Sequence, residues 1–106
     1  MRCYYGIDIA PDGTRVVARL VDAELRLATF AQDDASYLEM QAALREHDPR
    51  PRACIPSGVR TAALAEELLR GIRGMKVTLV PPMLIDSSAS TEERARSLAK
   101  MAKELA

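Results

Sequence analysis

Aromatic residues are scarce in this chain of 106 residues, which holds no Trp, one Phe and three Tyr. Its core cannot rest on stacked rings and must come from Ile, Leu, Val and Met, because seventeen of the apolar residues are alanine. Cysteine is nearly absent. Cys3 and Cys54 make no CxxC spacing and lie near no second His or Cys, which excludes a disulfide framework and the usual zinc motifs. The single histidine, His47, therefore reads as a helix-end residue rather than a metal ligand or a catalytic base. No sign of charge predominates, with fifteen Lys+Arg against fifteen Asp+Glu. The strongly basic footprint of a nucleic-acid binder is missing, so any such activity must come from a local patch. No run nears the ~18–20 apolar residues of a membrane span. The N-terminus meets an acid at Asp8 and has no signal-peptide core. These absences together imply a reduced, cytoplasmic protein with no membrane partner. What remains is an ordinary globular composition, 48% apolar, long enough for one core and too short for two.

The periodic segments fall in a definite order. Residues 3–10, CYYGIDIA, form a buried strand, and Pro11-Asp12-Gly13 is the turn after it. TRVVARLVD (14–22) and ELRLATFA (24–31) read as a hairpin with a short connection at Ala23. Asp33 or Asp34 caps a helix over 34–47, with Tyr37, Met40, Leu44 and His47 near one face. Asp48-Pro49-Arg50-Pro51 ends it, since a residue before proline is pushed out of the helical region. RACIP (52–56) is a fourth strand, and 59–71 a second helix with an inward stripe of Ala62, Ala65, Leu68, Leu69 and Ile72. MKVTLV (75–80) is a fifth strand, followed by a polar loop and a helix over 91–104. Hairpin-linked strands followed by right-handed crossovers predict one mixed α/β domain. Its five-stranded sheet has the order 3-2-1-4-5 and is flanked by three helices, the element order of the RNase H-like fold. Cys3 and Cys54 then sit on neighbouring central strands as buried thiols.

Asp8 is the chemically loaded residue of that first strand, because a buried carboxylate needs a partner, a metal or an exposed strand end. Its setting, Tyr5-Gly6-Ile7-Asp8-Ile9-Ala10, resembles the opening strand of the DEDD transposases of bacterial insertion sequences. These form the insertion sequence one-ten and Piv-invertase group, whose N-terminal domain is RuvC-like. The resemblance continues through Ile55-Pro56-Ser57-Gly58, Leu64-Ala65-Glu66-Glu67-Leu68, Val77-Thr78-Leu79-Val80-Pro81 and the terminal TEERARSLA (91–99). It implies a DNA-recombining domain in which four acids gather Mg²⁺, the first of them at Asp8.

Three of those four acids are replaced. The family's glutamate falls on Ile55, and its last two aspartates fall on Thr91 and Arg94. Asp8 is left as the residual acid of a degenerate site, and Asp86, Glu92 and Glu93 are the nearby alternatives. Helical geometry turns Glu92 and Glu93 outward, because Ala95, Leu98, Ala102 and Leu105 set the buried face with Thr91 and Arg94 at its edges. The expectation is a catalytically inactive domain needing no cofactor, with a role in nucleic-acid binding or assembly. The full transposases continue into a coiled coil and a serine-bearing domain, so a stand-alone remnant of a mobile element fits these 106 residues. The partners expected are DNA or RNA, bound no tighter than roughly 10⁻⁴–10⁻⁶ M at physiological salt, and a second copy joined through an exposed sheet edge. The alternative is a minimal Mg²⁺-dependent nuclease using Asp8 with Asp86, Glu92 or Glu93. A third reading takes Pro11-Asp12-Gly13-Thr14 as the phosphate turn of an actin-like kinase. With its acids replaced, Asp8 needs a counter-charge, and Arg94 either reaches it, directly or through water, or extends past the sheet edge into solvent.

Overall fold

A computed structural model describes residues 2–106. Its elements are β1 (Tyr4–Ile9), β2 (Arg15–Val21), β3 (Glu24–Phe30), α1 (Asp34–Arg45), β4 (Arg52–Pro56), α2 (Val59–Gly71), β5 (Lys76–Val80) and α3 (Thr91–Glu104). A single 3₁₀ turn over Pro82–Leu84 interrupts the loop before α3. The strands form one sheet in the order β3-β2-β1-β4-β5. β2 is antiparallel to both neighbours, while β1, β4 and β5 are parallel. This is the mixed sheet with three helices that the element order predicts.

Local chemistry explains the corners. Gly13 takes a positive φ of 95° in the first turn, where the Thr14 N–H donates to Asp12 Oδ1 at 2.9 Å. The β2–β3 hairpin turns at Asp22, whose φ of 56° is one that Asp tolerates better than most residues. Asp33 caps α1 by accepting the Ser36 N–H at 2.7 Å. The helix stops at Arg45 rather than running to residue 47, and His47 lies beyond it with an exposed side chain. The chain must leave the helix early because Asp48 turns inward, where its Oδ2 accepts the Cys3 N–H at 3.1 Å and its Oδ1 the Arg50 N–H at 3.0 Å.

The period-two alternation of β1 divides the core. Tyr5 and Ile7 face α1 and α2, packing with Met40, Leu44, Leu64 and Leu68. Gly6 and Asp8 face α3, which lies close to the sheet through Ala95, Ala99 and Ala102. A Cβ at Gly6 would lie 1.9 Å from the Ala95 carbonyl oxygen and 2.4 Å from the Ala99 nitrogen. The helix backbone therefore rests directly on β1, and no larger residue fits at position 6. Two expected core residues are corrected. Leu69 is 49% exposed and Leu105 60% exposed. The stripe of α2 runs through Thr61, Leu64, Ala65, Leu68 and Ile72, one helical step away from Leu69. Leu105 is the capping residue past the last turn of α3, and Ala99 takes the inward position instead.

Candidate functional site

β1, β4 and β5 run together, and each helix follows a strand parallel to β1, so all three helices begin at the end of the sheet where β1 finishes. Asp8, the penultimate residue of β1, lies at this end and is 6% exposed. Its Oδ1 accepts the N–H of Ile9 at 2.8 Å. Its Oδ2 accepts Nε of Arg94 at 2.7 Å. The rest of the guanidinium is committed as well, with Nη1 donating to the Ala89 carbonyl at 2.7 Å and Nη2 to Thr91 Oγ1 at 3.3 Å. Arg94 thus bridges the end of β1, the loop before α3 and the first turn of α3.

The seat of α3 on Gly6 is what delivers this side chain. Asp8 is two residues beyond Gly6 on the same face, and Arg94 directly precedes Ala95, whose carbonyl lies over Gly6. The pair lines a shallow depression of about 260 Å³ with Pro56, Ser57, Pro82, Ile85 and Ser87. Apart from Asp8 itself, no wall of the depression carries a carboxylate.

Of the other sequence-derived positions, Thr91 joins the pair and the rest lie elsewhere. Ile55 is fully buried on the α1–α2 face with Tyr5 and Ile7, across the sheet from Asp8. The expectation that Ile55 shares a cavity with Asp8 is therefore corrected. Gly6 pairs with Cys54, so the β4 residue level with Asp8 is Pro56. Parity along the strand, not motif spacing, decides which residue faces the site.

Thr91 is half-buried and serves Arg94 as an acceptor. Asp86 is exposed, and its Oδ1 accepts the Ser88 hydroxyl at 2.7 Å and the Ser88 N–H at 2.9 Å. Those two bonds hold its carboxyl below the usual carboxylate range. Glu92 and Glu93 point outward, as helical geometry requires. Glu93 has a structural task that the sequence pattern S-x-x-E could have revealed. Its N–H donates to Ser90 Oγ at 3.1 Å, and its Oε1 accepts the Ser90 hydroxyl at the same distance, a variant of the capping box.

A Mg²⁺ site of the transposase kind does not fit these residues. Both Asp8 oxygens are engaged, a guanidinium occupies the cation's side of the carboxylate, and the level position on β4 is Pro56. Among the described residues, no three His, Cys, Asp or Glu side chains group to hold a metal ion. The turn over Pro11–Thr14 does not present a free phosphate cradle. The Gly13 N–H donates to the Ala10 carbonyl and the Thr14 N–H to Asp12. Cys3 and Cys54 are core thiols, both pushed up from the ordinary thiol range by burial. Among the described residues, no helix is long and apolar enough to cross a membrane. No protein-family model matches the chain, and no curated protein matches it.

Proposed function

We propose that this chain is a transposase-type RNase H-like domain whose catalytic centre has been replaced by an internal ion pair. On this reading it serves nucleic-acid binding or assembly rather than strand cleavage. The carrying observation is the Arg94 guanidinium bonded to Asp8 at 2.7 Å, with its other nitrogens anchored to Ala89 and Thr91. A cation held covalently by the chain satisfies Asp8 and leaves no vacancy for a second, divalent one. The strand order 3-2-1-4-5 and the placement of α3 over β1 support the same reading. Hydrolysis assisted by two metal ions needs several carboxylates converging on one point. Here Asp86 is turned onto Ser88, Glu93 onto Ser90, and Glu92 faces outward.

The direct test is to incubate the purified protein with duplex, single-stranded and branched DNA in Mg²⁺ or Mn²⁺. No cleavage products are expected. Cleavage that disappears in Asp8→Ala would overturn the proposal.

A further inference from the structure

The net charge of zero hides a polarised distribution. Around the end of the sheet that carries Asp8 stand Asp12, Asp33, Asp34, Asp86, Glu92 and Glu93, placed by the first turn, the helix starts and the loop before α3. Of the arginines at that end, Arg94 is already committed to Asp8. Phosphate approaching there meets mostly carboxylates.

The opposite end, where β1, β4 and β5 begin, is cationic. Arg2, Arg50, Arg52, Arg73 and Lys76 lie on its strand starts and connections, joined by Arg45, Arg70 and Lys103 in the last helical turns, against the acids Asp22, Glu24, Glu46, Asp48 and Glu104. Asp48 is already spent on the N–H groups of Cys3 and Arg50. Arg2 Nη1 donates to the Arg50 carbonyl at 3.5 Å, which draws those two residues together. The Arg50 side chain lies along Gly74, where a Cβ would stand 3.2 Å from its Cγ, next to exposed Arg73. Arg52 and Lys76 are direct partners across the β4–β5 ladder. Among the described residues, Arg2 alone of the five on strand starts and connections has a carboxylate within 4.0 Å.

Two features separate this cluster from an ordinary solvated surface. Cations in the last turn of a helix answer its dipole, which accounts for Arg45, Arg70 and Lys103. Arg2, Arg50, Arg52 and Lys76 are not on helices, so that explanation fails for them. Like charges placed directly opposite on a ladder destabilise the sheet, as Arg52 and Lys76 are. Adjacent strands lie about 4.8 Å apart, so one phosphate between these two residues can answer both charges. Four of the five cations on strand starts and connections are arginines, whose forks match phosphate oxygens.

We propose that this pole, at the start of β1, β4 and β5, docks the domain on a nucleic-acid backbone, at the end of the sheet remote from Asp8. The choice of nucleic acid over another polyanion rests on the transposase-type reading above. The contact is to phosphates and carries no base selectivity.

The test uses fluorescence anisotropy with a labelled DNA duplex of arbitrary sequence, titrated with the full chain at several salt concentrations. Binding is expected in the ~10⁻⁴–10⁻⁶ M range, with log K falling against log salt at a slope of about −3 to −4.5. Arg73→Glu and Lys76→Glu, both at exposed positions, should each weaken binding and flatten that slope by about 1. The triple variant Arg50→Glu, Arg73→Glu and Lys76→Glu should abolish binding while melting cooperatively. Arg60→Glu, at the far end and of equal charge change, should bind like the parent. Binding that survives the triple reversal but falls with Arg60→Glu overturns this assignment and leaves the nucleic-acid role standing. No binding at about 50 mM salt, where phosphate contacts are strong, overturns both. Displacement of the duplex by polyglutamate at equal charge concentration overturns the choice of nucleic acid and makes an acidic protein the partner.

Discussion

Two buried aspartates lie at opposite ends of β1 and are satisfied in different ways. Asp48, 5% exposed, serves the start of the strand by accepting two backbone N–H groups, those of Cys3 and Arg50. Asp8, 6% exposed, accepts one backbone N–H, and a guanidinium supplies its other partner. The first arrangement is fixed by the path of the chain, and no substitution of Cys3 or Arg50 short of proline removes its donor. The second depends on a side chain 86 residues away, so one codon change at position 94 alters its chemistry. A carboxylate held by backbone is a structural part. A carboxylate held by a replaceable cation is where a site can be closed, and on the present proposal has been.

The sharpest way to break this contrast is Gly6→Ala. The new methyl would collide with the backbone of α3 near Ala95 and Ala99, and backbone cannot swing aside as a flexible side chain can. A loss of about 3 kcal/mol or more is expected, at the top of the overpacking range, because α3 must lift off β1 and carry Arg94 with it. The end held by Asp48 should keep its structure. Hydrogen exchange checks this: protection of the Ile9 amide should fall while that of the Cys3 amide persists. Equal loss at both ends would show that the two aspartates are not separately supported.

Asp48→Ala gives a smaller effect, about 1–3 kcal/mol, because it leaves the buried Cys3 N–H without an acceptor. It also carries a pH signature. Burial pushes the Asp48 carboxyl up, but the N–H groups of Arg50 and Cys3 together with the nearby Arg2 charge outweigh that and hold it below its ordinary value. A lowered native pKa means that the stabilisation is full above the unfolded value near ~3.9 and is lost as pH falls through the native one. Thermal melts of Asp48→Ala should therefore converge with those of the parent as pH drops below about 4. Melting curves that stay equally separated down to about pH 2 would contradict this assignment.

How much of this was legible in the sequence follows from how local each signal is. The strand order came from element order and crossover handedness, which constrain a chain of this size strongly, together with the resemblance of its motifs to the transposase domain. The Asp8–Arg94 contact was legible as one of two outcomes, because the motif register and an acid in an apolar strand set it against a guanidinium at the edge of an apolar helix stripe that could equally have reached solvent. Asp48 was not, since its partner Cys3 is 45 residues away and Asp-Pro-Arg-Pro reads locally as a helix stop. Ile55 was placed by motif spacing, and the parity of β4 against β1 reversed its face. Leu69 and Leu105 were assigned from hydrophobicity where a single helical step, or the end of the helix, decides exposure.

The central claim, that Arg94 replaces a cation at Asp8, is tested most directly by a double-mutant cycle at equilibrium in denaturant. Arg94→Ala alone should cost about 2–4 kcal/mol, below the top of the buried-pair range because the guanidinium is 23% exposed. Asp8→Ala alone should also destabilise, since it strips the guanidinium of its carboxylate. The double variant should cost little more than the worse single one, giving a coupling energy of at least about 1 kcal/mol. Costs that add to within about 0.3 kcal/mol would mean the two residues are neighbours without being partners, and the account of the closed site would fail.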